Sequence, residues 1–159
     1  MLSDSDKHYL GGIIDGEGSI LIAKRGMRYD GILTVGMTDG YPIKLLSTVL
    51  KSPYHYKTEN GRTIYMLHIG ARKCQRLLIE LIPYIRTKRR EALLVLGLFK
   101  LRDWKKRYLI EKNKKILHAK YGGPRLIPNK ILGDGYFIRA HALYTHCKAI
   151  KKQERLVLG

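Results

Sequence analysis

Asp15 and Glu17 stand two positions apart where a helical segment gives way to a strand-like run, inside the stretch Leu10-Gly11-Gly12-Ile13-Ile14-Asp15-Gly16-Glu17-Gly18. A carboxylate gains nothing from the negative end of a helix dipole. A nearby cation supplies the missing reason, because hard divalent ions such as Mg²⁺ take carboxylate and water oxygens and are held by one or two protein acids plus substrate phosphate. The two acids are therefore candidate metal ligands. The glycines beside them are equally unusual, since each glycine within a helix costs about 1 kcal/mol relative to alanine. Gly12 and Gly16, four positions apart, share one helical face and let a second helix backbone approach closely. Other chemistry is poorly represented: Cys74 and Cys147 have no paired spacing and read as buried thiols, and the histidines show no metal-ligand spacing.

The elements that must position these residues follow from local signals. Ser3 and Asp6 form a capping box that starts a helix running from Asp4 to about Asp15. GSILIAKR and GILTVGMT are strand-like, joined by a turn around Gly26 to Asp30, and Pro42 opens a second helix, PIKLLSTVLK. YHYKT and RTIYMLHI repeat the hairpin pattern around the turn signal ENG. A helix from about Arg72 to Leu81, a break at Pro83 and a further helix from about Lys88 to Leu101 complete an α-β-β-α-β-β-α order. The fold class is α+β. One domain is expected over 1–159, with 1–101 as core and 102–159 as a basic extension, helical from Tyr136 to about Gln153.

Thirty-one Lys and Arg against thirteen Asp and Glu give a net charge of +18, beyond what solubility needs. A polyanion is the expected partner, and nucleic acid suits better than a membrane because the basic residues interleave with Tyr, Thr and His along strands. Neither a bilayer-length apolar run nor a small-molecule site is read. The acidic N-terminus is unlike a secretory signal, so the expected location is intracellular: the cytoplasm of a prokaryote, an archaeon among the candidates, or an encoding organelle.

The nonapeptide from Leu10 to Gly18 resembles the LAGLIDADG motif of homing endonucleases in residue type, with Gly11 for alanine and Glu17 for the second aspartate, and the element order is that of the family's fold. The resemblance implies a site-specific, metal-dependent endonuclease that cuts double-stranded DNA, leaves 3′ overhangs and promotes intron mobility. It implies Mg²⁺ at Glu17, with Mn²⁺ or Ca²⁺ able to replace it and Ca²⁺ giving no turnover. One clear motif implies a saddle-like homodimer with Leu10, Gly11, Gly12, Ile13, Asp15 and Gly16 at its interface; Ile131-Leu132-Gly133-Asp134-Gly135 is only faintly similar, and Pro128 makes it a loop. Family positions also fall on Asp39, after the second strand, and on Lys88, giving Glu17, Lys88 and Asp39 as the catalytic set.

Strand alternation then assigns a DNA-facing set. Ile20, Ile22, Leu33, Val35, Met37, Tyr65, Leu67 and Ile69 suit the core. Ser19, Leu21, Ala23, Arg25, Arg28, Asp30, Ile32, Thr34 and Gly36 face the groove, as do Arg62, Met66 and His68, with Tyr54, Tyr56 and Lys57 from the remaining strand, whose phase the pattern leaves open. Two rivals keep the fold: an RNA maturase and a non-catalytic DNA-binding protein.

Overall fold

A computed structural model of the chain describes residues 2–26, 28–103 and 135–157. Helix α1 (Asp4–Glu17) opens on the expected capping box: the Asp6 N–H donates to Ser3 Oγ and the Ser3 N–H to the Asp6 carboxylate. It runs past Asp15 to Glu17, and strand β1 (Gly18–Arg25) begins at the next residue. Gly18 makes this junction possible, since a Cβ there would lie 2.5 Å from the Ile14 carbonyl oxygen. Strand β2 (Arg28–Met37) starts earlier than the expected turn allowed, because Arg25 and Arg28 pair directly across Gly26, itself at φ +57°.

Helix α2 (Gly40–Leu50) starts before Pro42, because Asp39 caps it, accepting the Tyr41 N–H at 2.9 Å. Between β3 (His55–Glu59) and β4 (Arg62–Gly70), Asn60 and Gly61 both have positive φ, the left-handed pair whose twist matches that of the flanking strands. Helix α3 (Ala71–Leu81) buries Cys74, Leu77, Leu78 and Leu81, a one-faced stripe at helical spacing. Residues 89–103 form α4 and Gly135–Val157 form α5, longer than the expected 136–153. The loop-like segment around residues 131–134 lies outside the described residues.

The strands form a four-stranded antiparallel sheet in the order β1-β2-β4-β3, so the hairpins meet through their inner strands, with Leu33 opposite Ile69 and Val35 opposite Leu67. One face carries Ile20, Ile22, Tyr29, Leu33, Val35, Leu67 and Ile69 into a core shared with Leu10, Ile14, Ile43, Leu46 and the stripe of α3. Helix α4 rests directly on this face: a Cβ at Gly31 would lie 2.4 Å from Val95 Cγ1. Helix α5 joins the same core through Ala140 and Cys147, and its His141 Nδ1 lies 2.9 Å from the Tyr29 hydroxyl. Both cysteines are buried as expected, and burial pushes the Cys74 thiol up to about 12. Among the described residues no helix is long and apolar enough to cross a membrane.

Candidate functional site

The two acids in the last turn of α1, Asp15 and Glu17, have different surroundings. Asp15 accepts the N–H groups of Arg86 at 2.7 Å and Lys88 at 3.0 Å, so it fastens the segment that leads into α4. Partial burial opposes its charge, but the N–H groups of Lys88, Arg86 and Thr87 and the Lys88 ammonium outweigh that and hold its pKa below the ordinary value. Glu17 is exposed at the end of the helix, and among the described residues its carboxylate has no hydrogen-bond or ion-pair partner.

Lys88 returns the contact that Asp15 makes. Its Nζ donates to the carbonyl oxygens of Ile14, Asp15 and Gly16 at 3.2, 2.8 and 3.3 Å. The Ile14 carbonyl also takes the Gly18 N–H, the last helical bond, so the carbonyls of Asp15 and Gly16 lie beyond it, and a cation is favoured at that end of the dipole. The result is a reciprocal clasp: the Asp15 carboxylate on the backbone at 86–88, and the Lys88 ammonium on the backbone at 14–16. It puts positive charge at the end of α1, on the backbone that leads to Glu17.

Asp39 commits Oδ1 to the α2 cap. It also lies near α1, because burial first, then the charge of Asp39 and the neighbouring Tyr41, raise the pKa of Tyr9. Among the described residues no group of three or more His, Cys, Asp or Glu side chains gathers to hold a metal. One chain thus offers a carboxylate of the right donor class but not a closed site. A divalent ion at Glu17 fits if a second carboxylate and phosphate oxygens complete its shell.

The contact face expected on α1 is narrower than the motif. Gly12 and Gly16 are exposed, and a Cβ on either would meet nothing within 4 Å. Leu10, by contrast, is 0% exposed within the chain's own core. Gly11 is buried too, where a Cβ would fall 2.7 Å from Tyr84 Cβ and 2.8 Å from its carbonyl oxygen. Leu10 and Gly11 therefore serve packing inside the chain, which corrects their expected place at an intermolecular face, while the Asp15 carboxylate is committed to the backbone at 86–88. Ile13 is half-buried against the core.

Opposite the core, the sheet has a face on which Ser19, Leu21, Ala23 and Arg25 stand beside Thr34, Ile32, Asp30 and Arg28, with His68 and Met66 next to Thr34 and Gly36. None of these residues is fully buried. Thr34 Oγ1 and His68 Nδ1 lie 3.1 Å apart, linking the two inner strands. Asp30 pairs instead with Arg102 Nη1 of α4 at 3.4 Å, with both side chains about a third exposed.

On β3 the pairing of Lys57 with Ile64 and His55 with Met66 puts His55, Lys57 and Glu59 on that face with Arg62. Tyr54 and Tyr56 go to the opposite side, their rings 6.2 and 6.3 Å from Tyr65, which corrects their DNA-facing assignment. His55 and Glu59 were missed, though a two-residue Asn60-Gly61 turn forces Glu59 opposite Arg62 and so sets the phase of the whole strand. Lys151 was also missed: its Nζ lies 3.1 Å from Ser19 Oγ, a contact across 132 positions that no local signal carries.

No protein-family model matches the chain, and no curated protein matches it. Solved structures do. The homing endonuclease I-CvuI, in complex with the I-CreI target with Mg present and the DNA not cleaved, superposes with a TM-score of 0.52 at 21% identity over 92% of this chain and 98% of that one. I-CvuI with its own target in the presence of Ca superposes at 0.50 and 23% identity, over 91% and 95% of the two chains. The protein therefore has the LAGLIDADG homing-endonuclease fold, in agreement with the motif from Leu10 to Gly18. At these identities the likeness is one of fold.

Proposed function

We propose that the chain is a homodimeric, site-specific DNA endonuclease that hydrolyses a phosphodiester bond in each strand with Mg²⁺. The observation that supports this is the end of α1: Glu17 projects from a helix whose Gly12 and Gly16 face is uncovered. Twofold pairing across that face would bring two Glu17 carboxylates together, one for each strand. DNA as the substrate and a divalent ion as cofactor draw support from the DNA-bound I-CvuI structures with Mg or Ca.

When bound, Mg²⁺ would supply Lewis-acid polarisation of the phosphate and an acidified water. Glu17 from each copy would hold it. Lys88, clasped to the α1 carbonyls, would add fixed positive charge where negative charge develops on the phosphate. Asp39 keeps Oδ2 for a water-mediated contact, and Asp15 keeps the clasp in register. The open sheet face would lie in the major groove, with Thr34, His68, Lys57 and Arg62 as polar readers and Leu21, Ile32 and Met66 against thymine methyls. Staggered cutting with 3′ overhangs and spread of a host intron belong to the same reading.

The test is selection of cut duplexes from a randomised library with Mg²⁺, together with the duplex made by joining the sequences flanking the gene's intron. Glu17→Gln should lower cleavage on the order of a thousandfold or more while DNA binding in Ca²⁺ persists. Cleavage by that variant at the wild-type rate would end the proposal.

A further inference from the structure

Helix α5 runs along the outer strand β1, anchored near one end by His141 on Tyr29 and near the other by Lys151 on Ser19. Ser19 follows Glu17 by two residues, a span of at most about 7 Å along the chain. The most distant part of the sequence thus delivers an ammonium group to the neighbourhood of the candidate metal-binding acid. Lys148 on the same helix lies over the Tyr144 ring, and Lys152 is exposed, whereas Lys151 is half-buried and turned toward the sheet.

The electrostatics of that position are unbalanced. Lys151 Nζ has three N–H donors, and the partner it reaches is a neutral hydroxyl. The ion pairs of Lys57 with Glu59 and of Arg102 with Asp30 do not involve Lys151. A lysine held by a serine, partly out of water and with no carboxylate in contact among the described residues, is suited to an arriving anion.

We infer that Lys151 is a phosphate-contacting residue of the cleavage site, contributed by α5, with Ser19 fixing the position of its ammonium. The inference rests on the endonuclease reading and adds a cation on the β1 side of Glu17, separate from Lys88 at the end of α1. Ser19 then positions a charged group instead of reading a base.

Binding of a random-sequence duplex, measured against salt concentration, tests the contact without needing the cognate site. Lys151→Gln should reduce the slope of log affinity against log salt by about 1. It should also slow cutting of the selected duplex by roughly 10- to 100-fold, as expected for loss of a charge-assisted hydrogen bond, while the thermal midpoint stays at the wild-type value. Lys151→Arg should restore the slope. If Lys151→Gln and Lys151→Met both leave the salt slope unchanged, the inference is wrong, and a lowered thermal midpoint in both would then identify Lys151 as a packing residue. A wild-type protein that cuts no duplex in the library would instead remove the endonuclease reading, and the salt slope would still report on the phosphate contact.

Discussion

Asp15 and Glu17 are chemically alike and nearly adjacent, and their surroundings separate them. Asp15 is half-buried over the backbone of 86–88, where N–H donors stabilise its charged form; Glu17 is exposed beyond the last turn. Because the folded-state pKa of Asp15 lies below its unfolded value of about 3.9, the ionised group stabilises the fold above that value, and the contribution is lost as pH falls through the folded pKa. Asp15→Ala should cost about 1–2 kcal/mol at pH 7, by analogy with loss of a capping carboxylate. The gap between wild type and variant in urea denaturation should close in acid; a gap independent of pH would contradict the assignment. Glu17→Gln should leave the urea midpoint unchanged, since an exposed side chain without a partner among the described residues has little to lose.

At the scale of elements, the glycines of α1 divide by face. Gly11 admits the turn that carries Tyr84, whose hydroxyl donates to Asp4 Oδ1 at 2.7 Å and ties that turn to the start of the helix. Gly11→Ala should therefore destabilise the chain by about 1–3 kcal/mol through overpacking against backbone that has little room to yield, seen as a lower thermal midpoint, despite alanine's better helix propensity. Gly12→Leu has the opposite expectation. Its Cβ meets nothing within the chain, so the fold should hold, while self-association measured by sedimentation should weaken tenfold or more if the helices cross there. Equal dimerisation of Gly12→Leu and wild type would move the interface elsewhere.

For the whole molecule, helices cover one side of the sheet, and the other side combines a short polar row, Ser19, Thr34 and His68, with apolar neighbours Leu21, Ile32 and Met66. On the proposed DNA-binding reading such a face would make few direct hydrogen bonds, and much of the affinity would come from the +18 charge acting on phosphates. DNA binding should therefore fall by about 10³–10⁵ between 50 and 200 mM salt if roughly six to ten phosphates are neutralised. Fluorescence anisotropy at several salt concentrations measures this, and an affinity nearly independent of salt would point to a different partner class.

The sequence alone determined what local physics controls. The motif from Leu10 to Gly18 is legible as it stands, and the capping box at Ser3, both hairpins and the stripe of α3 follow from dihedral preferences, side-chain periodicity and caps that act within a few residues. Tertiary structure decided everything that depended on a distant partner. It turned Leu10 and Gly11 inward, gave the Asp15 carboxylate to backbone 71 and 73 positions away, paired Asp30 with Arg102, put Tyr54 and Tyr56 behind the sheet and brought Lys151 to Ser19. A chain pattern reports which side chains share a face. Which neighbour occupies that face depends on how the elements pack, and in this fold that packing turns one acid of the motif inward and leaves the other exposed.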